Sequence, residues 1–232
     1  MKRVLIKLSG EALADGTSEL YSAKFVDEVA KELKRGVRDG CEIAVVVGAG
    51  NIWRGRQGTD MDRTTADRMG MLATVINSLY LKDALERAGA EVAVMTSVPM
   101  SPFAEPYVSD RAIEHLKAGK IVILGAGLGI PFLSTDTAGA VRAVEIGADE
   151  MLMAKNVDYI YTADPRIDPN AKKLESIKCS EMLAMHLTAI DATAAAFCMA
   201  NGMPIRVFGF KTASDITRAL KGETLGTTIT PD

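Results

Sequence analysis

The sequence is poor in cysteine and histidine, and this scarcity excludes several classes of protein. Its three cysteines, Cys41, Cys179 and Cys198, lie far apart and form no C-x-x-C pair, so they indicate neither a disulfide framework nor a zinc knuckle. His115 and His186 are the only histidines, too few for a multi-histidine metal site. We therefore predict no metal held by the protein's side chains alone, and a reducing, cytoplasmic location.

Long apolar runs and an excess of positive charge are also missing. The sequence contains no stretch of about 20 apolar residues, the length that a membrane-spanning helix needs. Lys7 interrupts the first apolar run too soon for the core of a signal peptide. Lys and Arg number 27 against 30 Asp and Glu, a net charge of −3, which gives no global basic field for binding nucleic acid. We expect neither a membrane nor a nucleic acid as a partner.

Short β-branched runs alternate with helical patterns along the 232 residues, which predicts crossover units around a mostly parallel sheet. The predicted strands are Arg3–Leu8, Glu42–Val47, Glu91–Met95, Lys120–Leu124, Glu150–Ala154 and Pro204–Phe208. The predicted helices are Ser22–Asp39, Thr65–Arg87, Asp110–Ala118, Asp136–Ile146, Asp191–Ala200 and Ala213–Leu220. In the long helix the residues expected on the buried side are Met69, Leu72, Ile76, Leu79 and Leu85.

Three glycine-containing turns follow buried strands. They are Lys7–Gly10, Gly48–Gly50 and Gly125–Gly127. In an open parallel sheet, ligands bind beyond the carboxyl ends of the strands, where glycine lets the backbone approach an anion. The three turns are therefore candidate phosphate-binding loops, although each taken alone is also explained as a tight turn.

The familiar nucleotide-binding motifs do not occur. The P-loop pattern G-x-x-x-x-G-K-[ST] is absent, because the Gly119-Lys120 pair is followed by Ile121. The dinucleotide pattern G-x-G-x-x-G fails after Gly48 and Gly50, and the protein-kinase motifs are missing. An enzyme acting on nucleotides or phosphates must use a different scaffold.

Charged and hydroxyl side chains lie at or near these turns. Lys7 could reach bound phosphates from an apolar run, or it is a solvated edge lysine. Arg54 could bind a phosphoryl oxygen, or it is simply an exposed arginine. Asp67 could accept a hydrogen bond from a ribose hydroxyl, or it only stabilises the helix through the dipole as a first-turn carboxylate. Ser134–Thr137 has the composition of a helix cap but equally allows an anion site. Asp191 could be a plain N-cap, hold a metal or orient a lysine.

Seven segments resemble one family, in the family's order and over essentially the whole chain. They are Lys7–Leu13 (KLSGEAL), Gly48–Gly55 (GAGNIWRG), Asp67–Thr74 (DRMGMLAT), Ser134–Ala138 (STDTA), Val157–Asp158 (VD), Tyr161–Pro165 (YTADP) and Pro204–Phe208 (PIRVF). The family is that of the bacterial UMP kinases (uridylate kinases), in the amino-acid-kinase superfamily. The first and third segments separate this branch from carbamate, aspartate and acetylglutamate kinases.

The resemblance implies an α/β fold, an open three-layer αβα sandwich with a mostly parallel central sheet. It implies one domain over residues 1–232, with an acceptor-binding lobe at about 1–154 and an ATP-binding lobe at 155–232. The implied reaction transfers the γ-phosphoryl of ATP to UMP, with Mg²⁺ accompanying ATP, in pyrimidine nucleotide biosynthesis. A homohexamer and the effectors GTP and UTP are further expectations from the family.

Matching motif positions carry over a set of site residues. The implied catalytic residues are Lys7, Arg54 and Asp191, with Asp191 positioning Lys7 and the metal. The implied ATP-binding residues are Lys7, Leu8, Ser9, Gly10, Gly50, Arg54, Lys155, Tyr161 and Asp164. The implied UMP-binding residues are Ala49, Asp67, Leu128, Gly129, Ile130, Pro131, Phe132, Leu133, Ser134 and Thr135, with Asp67 on the ribose.

Four positions depart from the commonest pattern of the family. Ala49 replaces the middle glycine of a turn, Leu128 and Ile130 stand where Thr and Asn are common, and Tyr159 replaces the glycine of a Val-Asp-Gly turn. These departures keep a second hypothesis open, a catalytically weakened regulatory paralogue that binds nucleotides. A third, a kinase with a carboxylate or carbamate acceptor, is disfavoured because Asp67 would repel such a substrate.

Overall fold

The computed structural model describes residues 1–53, 60–165 and 167–232. Over these residues the chain forms eleven strands and eight helices. The strands are β1 (Lys2–Leu8), β2 (Cys41–Val47), β3 (Val92–Thr96), β4 (Glu105–Pro106), β5 (Ile121–Gly125), β6 (Glu150–Lys155), β7 (Ile160–Tyr161), β8 (Lys173–Leu174), β9 (Ser176–Lys178), β10 (Ile205–Gly209) and β11 (Thr227–Thr230). The helices are α1 (Gly10–Leu13), α2 (Ala23–Arg38), α3 (Arg63–Arg87), α4 (Ser109–Lys117), α5 (Thr135–Glu145), α6 (Cys179–Ala184), α7 (Ala192–Ala200) and α8 (Ser214–Leu220).

Nine of these strands form one sheet in the order β4-β3-β5-β2-β1-β6-β10-β11-β9. Its neighbouring strands run parallel except for β10 and β11, which are antiparallel. The strands β7 and β8 form a separate antiparallel pair. The central strands are apolar over almost their whole length because helices cover both faces of the sheet.

The alternation of side chains along β1 divides the core into two layers. Val4, Ile6 and Leu8 pack with α2, α3 and α8 on one face of the sheet. Leu5 packs with α4, α5, α6 and α7 on the other face, and Lys7 shares that face with it. The predicted three-layer αβα sandwich with a mostly parallel sheet is therefore confirmed. Lys7 occupies a position where packing alone would favour an apolar residue.

The predicted buried side of the long helix was partly wrong. Leu72 and Ile76 are each 52% exposed, whereas Thr74 and Asn77 are buried. The cause is a polar contact, because the Asn77 amide donates to the Gly48 carbonyl at 2.7 Å and turns this face of α3 toward the loop after β2. The two exposed side chains are one turn apart and form an apolar stripe on the outer face, which we call the α3 stripe.

The remaining long elements lie within two residues of their predicted bounds, and the short ones were not predicted. The unpredicted elements are α1, α6, β4, β7, β8, β9 and β11. Among the described helices, none combines the length and apolar character needed to cross a membrane.

Candidate active site

Two lysines share one carboxylate at the carboxyl ends of β1 and β6. Lys7 is 6% exposed and lies opposite Met153 in the parallel register, and Lys155 is two residues further along β6. Both side chains therefore leave the sheet on the same face. The Lys7 Nζ lies 2.9 Å from Oδ1 of Asp136, and the Lys155 Nζ lies 2.8 Å from Oδ2. We call Lys7 and Lys155 the lysine pair.

Burial and ion pairing have opposite effects on the pKa values of Asp136 and Lys155. Burial alone would raise the pKa of Asp136, but the attraction of the lysine pair outweighs it and holds the pKa below its usual value. Burial lowers the pKa of Lys155, opposed by Asp136 and assisted by repulsion from Lys7. Two ammonium groups on one carboxylate form a site that favours further negative charge, such as a phosphoryl group.

Asp136 lies in the first turn of α5, and side-chain hydrogen bonds fix the start of this helix. The Ser134 Oγ accepts from the backbone N–H groups of Asp136 and Thr137 at 3.0 and 3.1 Å. The Ser134 hydroxyl also donates to Asp191, as does that of Thr137 at 3.0 Å. Asp191 in turn caps α7 by accepting from the Ala194 N–H at 2.8 Å. Asp191 thus joins two helix N-termini, while the contact to Lys7 comes from Asp136.

Two cavities meet at this cluster. The larger, of about 620 Å³, is lined by Lys7, Asp136, Lys155 and Asp191, and His186 of the loop between α6 and α7 also lines it. The smaller has about 120 Å³. Of the predicted acceptor residues, it is lined by Ala49, Asp67, Leu128, Ile130, Leu133, Ser134 and Thr135. Asp67, Leu133 and Ser134 line both cavities, so ligands in the two would touch at this shared wall.

The loops after β1 and β2 lie directly against each other, and glycine makes this possible. Gly10 begins α1, which Ser9 caps by accepting from the Ala12 N–H at 3.1 Å. A Cβ added to Gly10 would lie 2.7 Å from the Gly48 carbonyl oxygen and 2.5 Å from Oδ1 of Asn51. The predicted phosphate-binding turns at Gly10 and Gly48–Gly50 therefore form one continuous surface.

A buried amide that the sequence analysis did not single out holds this surface in place. Asn77 is fully buried and donates to the Gly48 carbonyl and to Oδ1 of Asn51 at 2.7 and 2.8 Å. It accepts from the Tyr21 hydroxyl at 2.7 Å and from the Asn51 amide at 3.2 Å. The available signal was one amide side chain in a mostly apolar stretch of the helix, and such a residue cannot be assigned a role without its partners.

The loop after β5 forms the third turn and contains two non-glycine residues in the left-handed region. Ala126 has φ of +61° and its N–H donates to Oγ1 of Thr74 at 2.9 Å. Phe132 has φ of +69° and its N–H donates to Oδ2 of Asp67 at 2.8 Å. Left-handed backbone is unfavourable for such residues and persists where surrounding contacts fix it, often at binding sites. This loop is held to α3 at both positions.

The remaining predicted residues are more dispersed. Tyr161 lies in the β7–β8 pair, where its hydroxyl donates to Asp158 at 3.3 Å, and Asp164 lies in the turn that follows. Neither residue lines the larger cavity. Gly129, Pro131 and Phe132 do not line the smaller one. Arg54 lies outside the described residues.

The family departures at Ala49 and Tyr159 introduce no left-handed backbone. Ala49 lines the smaller cavity, and its carbonyl accepts from the Trp53 N–H at 2.8 Å. Tyr159 packs beneath the Lys173 ammonium, 3.7 Å from its ring centroid. Neither position therefore requires the backbone conformation that favours glycine.

Comparison with known proteins identifies the family. The family model for the amino acid kinase family matches residues 2–209. The UMP kinase from Bacillus anthracis has a TM-score of 0.95 and 40% sequence identity, and the match covers 100% of this chain and 96% of that chain. The UMP kinase from Ureaplasma parvum has a TM-score of 0.93 and 32% identity over 99% of this chain and 98% of that one. The uridylate kinase from Archaeoglobus fulgidus has a TM-score of 0.78 and 27% identity over 99% and 100%. The chain therefore belongs to the amino acid kinase family, in its UMP kinase branch.

Proposed function

We propose that this protein is a UMP kinase, which transfers the γ-phosphoryl group of ATP to UMP and releases UDP and ADP. The observation that carries the proposal is the lysine pair on Asp136 beside a cavity lined by Asp67. This arrangement occurs in a chain that is 40% identical to a UMP kinase over its whole length.

Phosphoryl transfer needs positioning and charge neutralisation rather than a covalent intermediate. The lysine pair faces the larger cavity, and Lys7 would neutralise the charge that builds on the phosphoryl oxygens in the transition state. The positive end of the α5 dipole also lies beside it, although the N–H groups of Asp136 and Thr137 already donate to Ser134. Asp67 would accept from a ribose hydroxyl of UMP in the smaller cavity, so that the acceptor phosphate lies at the shared wall.

The donor nucleotide would occupy the larger cavity and the loops next to it. We propose that Leu8, Ser9, Gly10 and Gly50 line the ATP phosphates, together with Arg54. Lys155, Tyr161 and Asp164 would surround the adenosine. We propose an acceptor lobe at about residues 1–154, which also contributes its loops after β1 and β2 to the ATP phosphates, and an ATP lobe at 155–232.

The donor set of the larger cavity suits Mg²⁺ as the companion of ATP. Asp136 and Asp191 both line it, and Mg²⁺ in kinases prefers oxygen ligands from substrate phosphates with one or two carboxylates. Among the described residues, no group of three or more His, Cys, Asp and Glu side chains could hold a metal alone. We propose that Mg²⁺ is bound with ATP, with Asp191 as its carboxylate, and that it neutralises phosphate charge there.

The assembly, regulation and place of action are proposed on the same basis. The α3 stripe exposes two large apolar side chains on an outer helix face, which supports a homo-oligomeric interface. A hexamer, control by GTP and UTP, and a role in cytoplasmic pyrimidine nucleotide synthesis follow from family membership. The alternative of a regulatory paralogue is not favoured, because the chain is 40% and 32% identical to two UMP kinases over 99% or more of its length, and neither Ala49 nor Tyr159 has a left-handed backbone.

The test is a coupled assay of ADP release with Mg-ATP against UMP, CMP, dUMP and AMP. We expect turnover largely confined to UMP. Lys7→Met should lower kcat by about 100-fold or more, the typical loss when one group that stabilises transition-state charge is removed. Lys24→Met makes the same chemical change at an exposed position of α2 and should leave kcat unchanged.

Two results would refute the proposal. One is a folded wild-type protein that forms no ADP with any pyrimidine monophosphate. The other is a Lys7→Met variant that turns over as fast as Lys24→Met. Asp191→Asn, measured in parallel, tests the role proposed for that carboxylate.

A further inference from the structure

The carboxylate of Asp67 is held from two sides. Arg63, one turn earlier in α3, places its Nε 2.9 Å from each of the two oxygens. The Phe132 backbone N–H, from the loop after β5, donates to Oδ2 at 2.8 Å. The Asp67 side chain is only 16% exposed. We call these three residues the Asp67 clasp.

The backbone of Phe132 is shaped for this contact rather than for burial of its ring. Phe132 has φ of +69°, an unfavourable conformation for a residue with a bulky side chain. Its ring is 65% exposed and has the Arg63 guanidinium 5.5 Å from its centroid. Because burial does not explain the strained backbone, the N–H contact to Asp67 is the interaction that accounts for it.

The clasp leaves part of the carboxylate free to accept further hydrogen bonds. A carboxylate has about four acceptor positions on its two oxygens. Phe132 uses one of them on Oδ2, and Arg63 approaches both oxygens from a single nitrogen. The positions that remain have a fixed direction at the wall shared by the two cavities. A group fixed in this way discriminates between ligands better than one that rotates freely.

We propose that Arg63 and the Phe132 N–H are positioning groups that aim Asp67 at the ribose hydroxyls of the acceptor, so that the Asp67 clasp selects ribonucleotides over 2′-deoxyribonucleotides. This inference rests on the proposed function. The physical reason is that a site built to accept from a hydroxyl leaves a desolvated carboxylate unpaired when the hydroxyl is missing. In this proposal Arg63, which lines the larger cavity, acts through Asp67.

The test compares UMP with dUMP as acceptors for the wild type, Arg63→Met, Arg63→Lys and the control Arg68→Met. Arg68 is an exposed arginine on the next turn of the same helix. We expect Arg63→Met to raise KM for UMP about tenfold, to change kcat less than KM, and to reduce the preference for UMP over dUMP about tenfold. Arg63→Lys keeps the charge and should restore part of the preference, and Arg68→Met should behave as the wild type.

A second variant separates the backbone of Phe132 from its ring. Phe132→Gly keeps the N–H and adopts positive φ without strain, so the preference for UMP should be retained. Loss of the preference in this variant would overturn the role of the N–H.

The other outcomes are equally decisive. If Arg63→Met lowers kcat/KM equally for both acceptors, Arg63 is merely structural and the inference fails. If it lowers KM for UMP, Arg63 competes with the ribose and the inference also fails. Absence of UMP turnover in the wild type would refute the proposed function itself, which keeps the two failures distinct.

Discussion

Replacement of Asn77 by alanine tests whether the nucleotide loops depend on one buried amide. The side chain makes four hydrogen bonds, two donated to Gly48 and Asn51 and two accepted from Tyr21 and Asn51. A buried hydrogen bond contributes about 1 kcal/mol net, which gives an upper estimate of about 4 kcal/mol for four. Tyr21 is half-buried and can bond to water in the variant, and Asn51 keeps its bond to the Leu20 carbonyl at 2.9 Å. These contacts offset part of the lost hydrogen-bond free energy. We expect Asn77→Ala to lower the free energy of unfolding by about 3 kcal/mol.

The same variant should weaken nucleotide binding, because the orphaned Gly48 carbonyl belongs to the loop that carries Ala49 and Gly50. Urea unfolding followed by circular dichroism measures the loss of unfolding free energy, and KM for both substrates measures the weaker nucleotide binding. At 2–4 °C per kcal/mol the melting temperature should fall by roughly 6–12 °C. Ser78→Ala is the matched control, since this buried hydroxyl donates only within the helix, to Thr74 at 2.8 Å. A loss under about 1 kcal/mol, or no larger than that of the control, would refute the reasoning.

Three further expectations concern pH, backbone and thiols. The lysine pair holds the pKa of Asp136 below its usual value, so its charge stabilises the fold above the ordinary carboxyl pKa of about 3.9. That stability is lost as the pH falls through the folded pKa, so the difference in melting temperature between the wild type and Asp136→Asn should narrow below about pH 4; a constant difference would contradict this. Gly226→Ala would place Cβ 2.0 Å from a backbone oxygen of β10 at φ of +72°, whereas Gly222 has φ of +74° and open space. Gly226→Ala should therefore lower the free energy of unfolding by about 2 kcal/mol or more beyond the loss caused by Gly222→Ala, as measured by urea unfolding. Equal losses in the two variants would show that positive φ alone determines the cost. Burial raises the pKa of Cys198 to about 12, so a soluble disulfide reagent at pH 8 should modify the half-buried Cys41 first in the native protein.

The strands and helices that were predictable are those whose apolar pattern is long enough to fix their type. The central strands β1, β2 and β6 are almost continuously buried, and their mostly apolar sequences indicate this burial. The short strands β7 and β8 contain two residues each, and Thr227 of β11 contacts both. Its hydroxyl accepts from the Ile160 N–H at 2.8 Å and donates to the Leu174 carbonyl. Such a contact is made between segments far apart in sequence, so local pattern carries no sign of it.

In the candidate site, too, the residues that could be predicted are those whose local sequence is unusual, and the others depend on contacts between distant segments. Lys7 was recognisable because an ammonium in an apolar strand has few structural explanations. Asp136 was interpreted as part of a helix cap or of an anion site, and not as the partner of Lys7 and Lys155, because that pairing depends on the register of β1 with β6 and on where α5 begins. The face of α3 was misjudged at Leu72 and Ile76 since hydrophobicity was weighed without the loop that Asn77 contacts.

The position of Lys7 within the sheet has an evolutionary consequence. Leu5 and Met153 share that face of the sheet with it, and Lys155 would still pair with Asp136 if Lys7 were lost. Replacing a whole buried ion pair by apolar side chains is often neutral or stabilising, whereas removing one member is destabilising because the other charge is left unpaired. Since Asp136 keeps Lys155 as a partner, loss of Lys7 leaves no carboxylate unpaired. On the role proposed for Lys7, stability and reaction chemistry place opposite demands on this position. We expect a single substitution of Lys7 by methionine or leucine to keep the fold and to remove most of the proposed phosphoryl transfer, so that a folded relative with little activity is one mutational step away.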